Sequence, residues 1–198
     1  MNDIEVHPFE PFLPVNARLL MLGTFPPAQQ RWCMDFYYPN FQNDMWRIFG
    51  HIFYKDKNHF VLTDKKRFDL DNIIQFLKEK GIAIFDTATR IRRTKNTASD
   101  KDLEIIEESD LDWMLHKIKQ CKTVITAGQL ATSTFTNHFG IEAPKVGHFT
   151  EFTFDNRRIR LYRMPSSSRA YPMSIPKKAE SYSEVLLNLR NQKRDNIT

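Results

Sequence analysis

Cysteine and glycine are scarce: the chain of 198 residues holds two of the first and six of the second. Cys33 and Cys121 stand far apart, with no CxxC pair and no histidine at ligand spacing. This argues against a disulfide scaffold and against a tetrahedral zinc site such as that of the zinc deaminases. Gly23-Thr24-Phe25-Pro26-Pro27 has neither the GxGxxG spacing nor a Walker pattern, so a dinucleotide fingerprint and a P-loop are absent. No run approaches the roughly 18 apolar residues of a membrane span. The opening MNDIEVHPFEPFLPVN puts acids and prolines where a signal peptide needs a basic start and an apolar stretch, which leads us to expect a soluble protein of the cytoplasm. Acidic excess is missing as well. Lys plus Arg is 29 against 24 for Asp plus Glu, a net +5, too small a surplus to prove a polyanion partner but enough to exclude an acidic, self-repelling chain.

What is present is a packed chain of single-domain length, 41% apolar, with 16 Phe among its aromatics. Residues 1–17, with Pro8, Pro11 and Pro14, read as an extended lead-in; 18–191 as one domain; 192–198 as a flexible tail. The continuously apolar run ending at Gly23 predicts a buried strand. Residues 25–42 hold six aromatics among prolines and amides, unusual for an ordinary connection. A helix is expected from Asn43 or Asp44, a second over 69–80 stopped by Gly81, then a strand over 82–85 ending at Asp86 and Thr87. TRIRRTKNTASD reads as a basic loop. It leads to a helix near 110–119, a strand over 123–127 and a helix from Gly128 to about Phe139. FTEFTF and RRIRLYRM flank Asp155-Asn156 as a hairpin, before the loop PSSSRAYPMSIP and a last helix over about 176–191. Alternating strands and helices imply an α/β domain with parallel crossovers.

In such sheets ligands bind beyond the carboxyl ends of the strands. Four segments converge there: Gly23-TFPP, Asp86-Thr87, Ala127-Gly128 and Met164-PSSSRAYP. The crevice would combine the rings of Phe25, Phe36, Tyr37, Tyr38 and Phe41, the amides Asn40, Gln42 and Asn43, the carboxylate Asp86 and a hydroxyl loop. That set suits a flat, hydrogen-bonding ligand joined to phosphate, such as a base in a nucleic acid, where stacking contributes about 1–3 kcal/mol per base. For any single ring, a place in the core is the simpler reading.

LLMLGTF, FYYPNFQNDMWRIF, GIAIFDTATRIRR, TVITAGQLATSTF and MPSSSRAYP, in this order over about residues 17–190, resemble the uracil-DNA glycosylase superfamily, and most nearly its mismatch-specific and hypoxanthine-type branches. The resemblance implies a three-layer α/β/α domain with a central, mainly parallel four-stranded sheet, no metal and no cofactor. By the same resemblance Asn43 and Asp86 are the catalytic candidates, and capping the next helix is a role that Asn43 equally admits. Gly23, Thr24, Phe25, Tyr38 and Thr87 would surround the base, with Tyr38 stacking on it. Pro26, Arg90, Arg92, Arg93, Gly128, Ser166, Ser167, Ser168, Arg169 and Tyr171 would meet DNA, the serines compressing the backbone and Arg169 or Tyr171 filling the gap left by a flipped nucleotide. Two departures stand out: Phe25 and Met164 occupy positions where relatives carry polar catalytic groups.

The expected function is therefore hydrolysis of the N-glycosidic bond of a deaminated or mismatched base in duplex DNA, as in base excision repair, by a nucleoid-associated monomer without membrane contact. The alternative is a weak or inactive nucleic-acid-binding module on the same fold. A serine hydrolase using Ser166–Ser168 with His138 or His148 ranks last, because no GxSxG elbow is present.

Overall fold

Strand β1 (Ile4–Val6) lies within the lead-in, and the apolar run forms β2 (Leu19–Gly23), buried throughout. The computed structural model describes residues 3–95 and 99–188, so the tail expected at 192–198 lies outside the described residues. After the aromatic connection comes α1 (Met45–Tyr54). A small hairpin of β3 (Val61–Leu62) and β4 (Arg67–Phe68) precedes α2 (Leu70–Lys80). The chain continues through β5 (Ile82–Asp86), β6 (Ala88–Arg93), β7 (Leu103–Glu108), α3 (Leu111–Lys117), β8 (Thr123–Ala127) and α4 (Gln129–Phe139). It closes with β9 (Phe149–Phe154), β10 (Arg157–Met164) and α5 (Ile175–Asn188).

Local chemistry sets these boundaries. Asp69 caps α2 by accepting the Asn72 N–H, and Asp110 caps α3 by accepting that of Trp113. Gly81 ends α2 at φ +66, where an added Cβ would also strike the Asn16 carbonyl. Asp155 and Asn156 both take positive φ, +48 and +61, the two-residue turn whose twist matches a hairpin.

The main sheet has the order β5-β2-β8-β10-β9. It has five strands where four were expected: β5, β2, β8 and β10 run parallel, and β9 folds back antiparallel as the outer edge through the predicted hairpin. The basic segment after Asp86 also differs from expectation. It is strand β6, paired with β1 and β7 in a separate antiparallel sheet. Ile91 turns inward while the arginines face glutamates across the ladder: Arg92 meets Glu104 at 2.7 Å, Arg90 meets Glu107 at 3.6 Å and Arg93 meets Glu5 at 2.9 Å. Opposite charges across a ladder support pairing.

Leu19 to Leu22, Ile82 to Phe85 and the rings of Trp46, Phe49, Phe60 and Phe76 lie in one core. Among the described residues no helix is long and apolar enough to cross a membrane.

Candidate active site

The carboxyl ends of the parallel strands form one row: Gly23 is paired with Asp86, Leu22 with Thr126 and Met164 with Ala127. From β2 the chain moves to β5 on one side and then crosses to β8 on the other. The order reverses at β2, and this switch point is where an open α/β sheet usually places its ligand crevice.

Asp86 is buried there at the end of β5. Its Oδ2 lies 3.1 Å from His7 Nε2, and His7 is itself almost wholly buried. Nδ1 of His7 sits beside Phe9, 3.2 Å from its N–H and 2.9 Å from its carbonyl oxygen. When Nδ1 accepts the Phe9 N–H, the ring proton is on Nε2; when both nitrogens are protonated, Nδ1 donates to the Phe9 carbonyl. In both forms Nε2–H donates to Asp86. The other carboxylate oxygen, Oδ1, faces Gly23, whose lack of a side chain makes room for it: a Cβ would overlap Oδ1 and stand 3.8 Å from Tyr38 Oη.

Tyr38 holds a left-handed backbone, φ +51, which costs a residue with a side chain about 1–3 kcal/mol and tends to mark functional positions. Its ring meets Trp46 edge-on. Its hydroxyl is buried without a hydrogen-bond partner among the described residues, as is that of Thr87. Burial above all, then Tyr182, Asp86 and Asp100, push the Tyr38 phenol well above its usual range, so it remains a neutral O–H. The Thr87 N–H donates to the Gly23 carbonyl at 2.9 Å and ties the β5 end to the β2 end.

On the other side of β2, Thr24 Oγ1 donates to Asp100 Oδ2 at 2.9 Å. The same oxygen would lie 3.4 Å from a Cβ on Gly128, whose φ of +111 suits glycine. Burial first, and the charge of Asp86 as well, raise the Asp100 carboxyl above its ordinary value, against the Thr24 hydrogen bond and Arg93, which lower it. A polar stretch of sequence gives no sign that this carboxylate turns inward.

Asn43 lies just ahead of α1, and its Oδ1 accepts the Met45 N–H at 2.9 Å. The N-cap position itself is Asp44, whose side chain makes no cap bond; the Asn43 contact is a two-residue turn that orients the amide, with the oxygen engaged and Nδ2 without a partner among the described residues. Buried Arg47 donates to the carbonyls of Phe41 and Asn43, at 2.8 and 3.2 Å, and lies over the Phe41 ring. These contacts fix the approach to Asn43.

The serine loop is clamped from α1 and α5. The Asp44 N–H donates to the Ser167 carbonyl at 3.0 Å, Lys178 Nζ to the Ser168 carbonyl at 2.8 Å, and Tyr182 Oη to the Pro165 carbonyl at 2.8 Å. Lys178 is fully buried and pairs with Asp44 at 2.9 Å. Ser166 Oγ accepts the Ser168 N–H and Ser168 Oγ accepts that of Ala170; each hydroxyl keeps its proton to donate outward. Arg169 is half-exposed and 3.5 Å from Asp44, and Tyr171 follows on the same turn.

The structure gathers Gly23, Thr24, Tyr38, Asp86, Thr87 and Gly128 at the crevice, adds Asp100 and His7, and disperses part of the expected aromatic set. Phe36 and Tyr37 are core residues, Tyr37 donating to the Glu10 carbonyl. Phe41 packs on Phe68 and Arg47. Phe25 stays near, edge-on to His7 at 5.2 Å. Arg93 is buried in its fork with Glu5 and also donates to the Pro26 carbonyl, so it braces the loop after β2, while Arg90 and Arg92 are more exposed. Met164 is core. Among the described residues no His contacts Ser166–Ser168: His138 pairs with Asp112, away from that loop. Clefts of about 460 and 420 Å³ lie elsewhere, the second walled by His7, Phe9, Phe85 and Trp113 behind Asp86. No cluster of metal-ligating side chains occurs among the described residues.

No family model matches the chain, and no curated protein sequence does. Among solved structures, the solution NMR structure of a "putative Uracil DNA glycosylase" from Methanosarcina acetivorans superposes with a TM-score of 0.61 at 19% identity, covering 95% of this chain and 99% of that one. At that identity the likeness is one of fold.

Proposed function

We propose that the protein is a DNA glycosylase of the uracil-DNA glycosylase superfamily, hydrolysing the N-glycosidic bond of a deaminated or mismatched base. The observation that carries this reading is the Gly23–Asp86–Tyr38 arrangement: a buried carboxylate with one oxygen held by His7 and the other turned over a glycine toward an unpartnered hydroxyl. Such a set, at the carboxyl edge of a sheet whose fold is shared with a glycosylase-like neighbour, can hold a polar group while chemistry occurs beside it.

In this mechanism Ser166 and Ser168 donate to phosphate oxygens, and the extruded nucleotide enters between Tyr38 and Phe25 while Arg169 or Tyr171 fills its place in the duplex. As the bond breaks, positive charge grows on the sugar and negative charge on the base. Asp86 opposes the first, and Asn43 Nδ2 with nearby backbone N–H groups opposes the second. Arg90 and Arg92 can exchange glutamate for phosphate at little cost, because an exposed ion pair contributes only about 0–1 kcal/mol. Arg93 acts from beneath, through Pro26.

A second reading has its own support. Phe25 is apolar and Met164 is buried, so neither supplies a polar group near the sugar, and a module that binds damaged DNA without cutting it fits the same crevice. Labelled duplexes holding uracil, hypoxanthine, xanthine or mismatched thymine, treated with alkali after incubation, separate the two. Strand cleavage that disappears in Asn43→Ala and Asp86→Asn supports the glycosylase. Binding with no abasic product at stoichiometric enzyme supports the module.

A further inference from the structure

Two carboxylates flank β2 at the crevice. Asp86 stands on the β5 side and Asp100, held by Thr24 and packed against Gly128, on the β8 side. Neighbouring strands lie about 4.8 Å apart and β2 separates β5 from β8, so groups over those two strands stand about two spacings apart, wide enough to admit a flat ring between them. Near Gly23 and Asp86 lies the buried hydroxyl of Tyr38, without a partner among the described residues, which senses both charges. Pairs of titratable groups held in contrasting environments mark acid and base assignments.

The environments do contrast. Asp86 has one carboxylate oxygen held by His7 and the other, Oδ1, turned over Gly23. Asp100 is enclosed. Asp86 faces it from β5, Tyr38 from the aromatic loop, Arg93 from β6, Thr24 from the end of β2, and the amino end of α4 lies beside it at Gly128. Thr24, Arg93 and the helix end favour the ion, whereas burial and Asp86 favour the acid, and burial has the largest effect.

Resting on the glycosylase reading, we propose that Asp100 is the general acid of this site and Asp86 its base. The C1′–N bond breaks with its electron pair passing to the base, the Asp100 carboxylic proton passes to a ring nitrogen or carbonyl oxygen of that base, and water adds at C1′ while giving its proton to the Asp86 carboxylate. Return of that proton from Asp86 to Asp100 through solvent completes the cycle, and one water is consumed per bond cleaved.

The test is single-turnover excision as a function of pH, on whichever base of the four-duplex panel the wild-type enzyme releases fastest. The acid is needed protonated, so the wild-type rate falls as pH rises through the Asp100 pKa. Asp100→Asn lowers the rate by roughly 100-fold or more, the usual worth of a general acid, and abolishes that alkaline limb; Asp100→Glu restores part of both. Thr24→Val removes a hydrogen bond that favours the ion and moves the limb to higher pH, which decides the matter even if Asp100→Asn does not fold. If Asp100→Asn keeps the wild-type profile, or Thr24→Val leaves the limb in place, the assignment of Asp100 is overturned while excision stands. If wild-type enzyme releases no base, the glycosylase reading falls and this assignment with it.

Discussion

His7 Nε2 stands 3.1 Å from Asp86 Oδ2 and joins the lead-in to the carboxyl end of β5 across 79 positions of sequence. The contact is held from behind: Phe9 engages Nδ1, and β1 pairs with β6 to keep the segment on the domain. His7 thus presents one oxygen of Asp86 to the crevice by occupying the other.

His7→Ala removes that hold. With the carboxylate released to rotate, the turnover rate falls roughly 10–100-fold, as expected when a catalytic group is misplaced by about an ångström, while KM changes less, because His7 acts through Asp86. Loss of a buried partner also destabilises the fold by about 1–3 kcal/mol. His7→Gln, which can still donate to Oδ2, recovers part of the rate. Equal kcat for wild type and His7→Ala would remove His7 from the mechanism.

Gly23→Ala tests the other side of the same carboxylate. The added methyl group overlaps Asp86 Oδ1, so the carboxylate must swing from Gly23 or β2 must shift. Overpacking of this kind costs about 1–3 kcal/mol. Urea unfolding should register that modest loss, whereas excision should drop by about 100-fold or more. An active Gly23→Ala variant of normal stability would mean that Asp86 does not work in the position seen.

The strands that build the crevice are legible in the sequence because each is a short apolar run ended by a residue that stops it, and the strand-end rule then brings Gly23, Asp86 and Gly128 together. The β6 strand is not legible: ATRIRR reads as a basic loop until Glu104 and Glu5, 12 and 88 residues away, are seen opposite Arg92 and Arg93. His7 and Asp100 escape for the same reason. A histidine beside a proline and an aspartate in a polar run carry no local sign of their partners, Asp86 and Thr24, which only the fold supplies. The aromatic loop misleads in the opposite sense, since rings close in sequence divide between core and crevice.

Lys178 and Asp44 make a second long-range pair that sequence conceals, a lysine without exposure on a helix of mixed polarity. Lys178→Met leaves Asp44 buried without its close partner, Arg169 standing 3.5 Å away and Arg47 acting only through its charge, and breaking such a pair costs about 3–5 kcal/mol. Removing the second charge in Asp44→Asn/Lys178→Met should return much of the loss in urea unfolding. Because Lys178 also holds the Ser168 carbonyl, DNA affinity is expected to stay reduced in the double variant after stability has recovered. Full recovery of both would show that the serine loop does not depend on this clamp.

Asp100 also links stability to pH. Its folded-state carboxyl lies above the ordinary value through burial, so the native chain binds this proton more tightly than the unfolded chain does. The favourable contribution is complete below the unfolded pKa and is lost as pH rises through the folded one. Above the folded pKa the ionised form opposes folding, and there Asp100→Asn, neutral at every pH, is expected to be more stable than wild type. The difference should shrink toward zero near pH 4 as the wild-type residue gains its proton. Urea unfolding of both proteins at several pH values measures this directly. A stabilising gain that accompanies loss of excision is what an acid held in a buried site for its chemistry requires, whereas Asp100→Asn less stable at pH 7 than at pH 4, relative to wild type, would show Asp100 to be an ordinary structural anion.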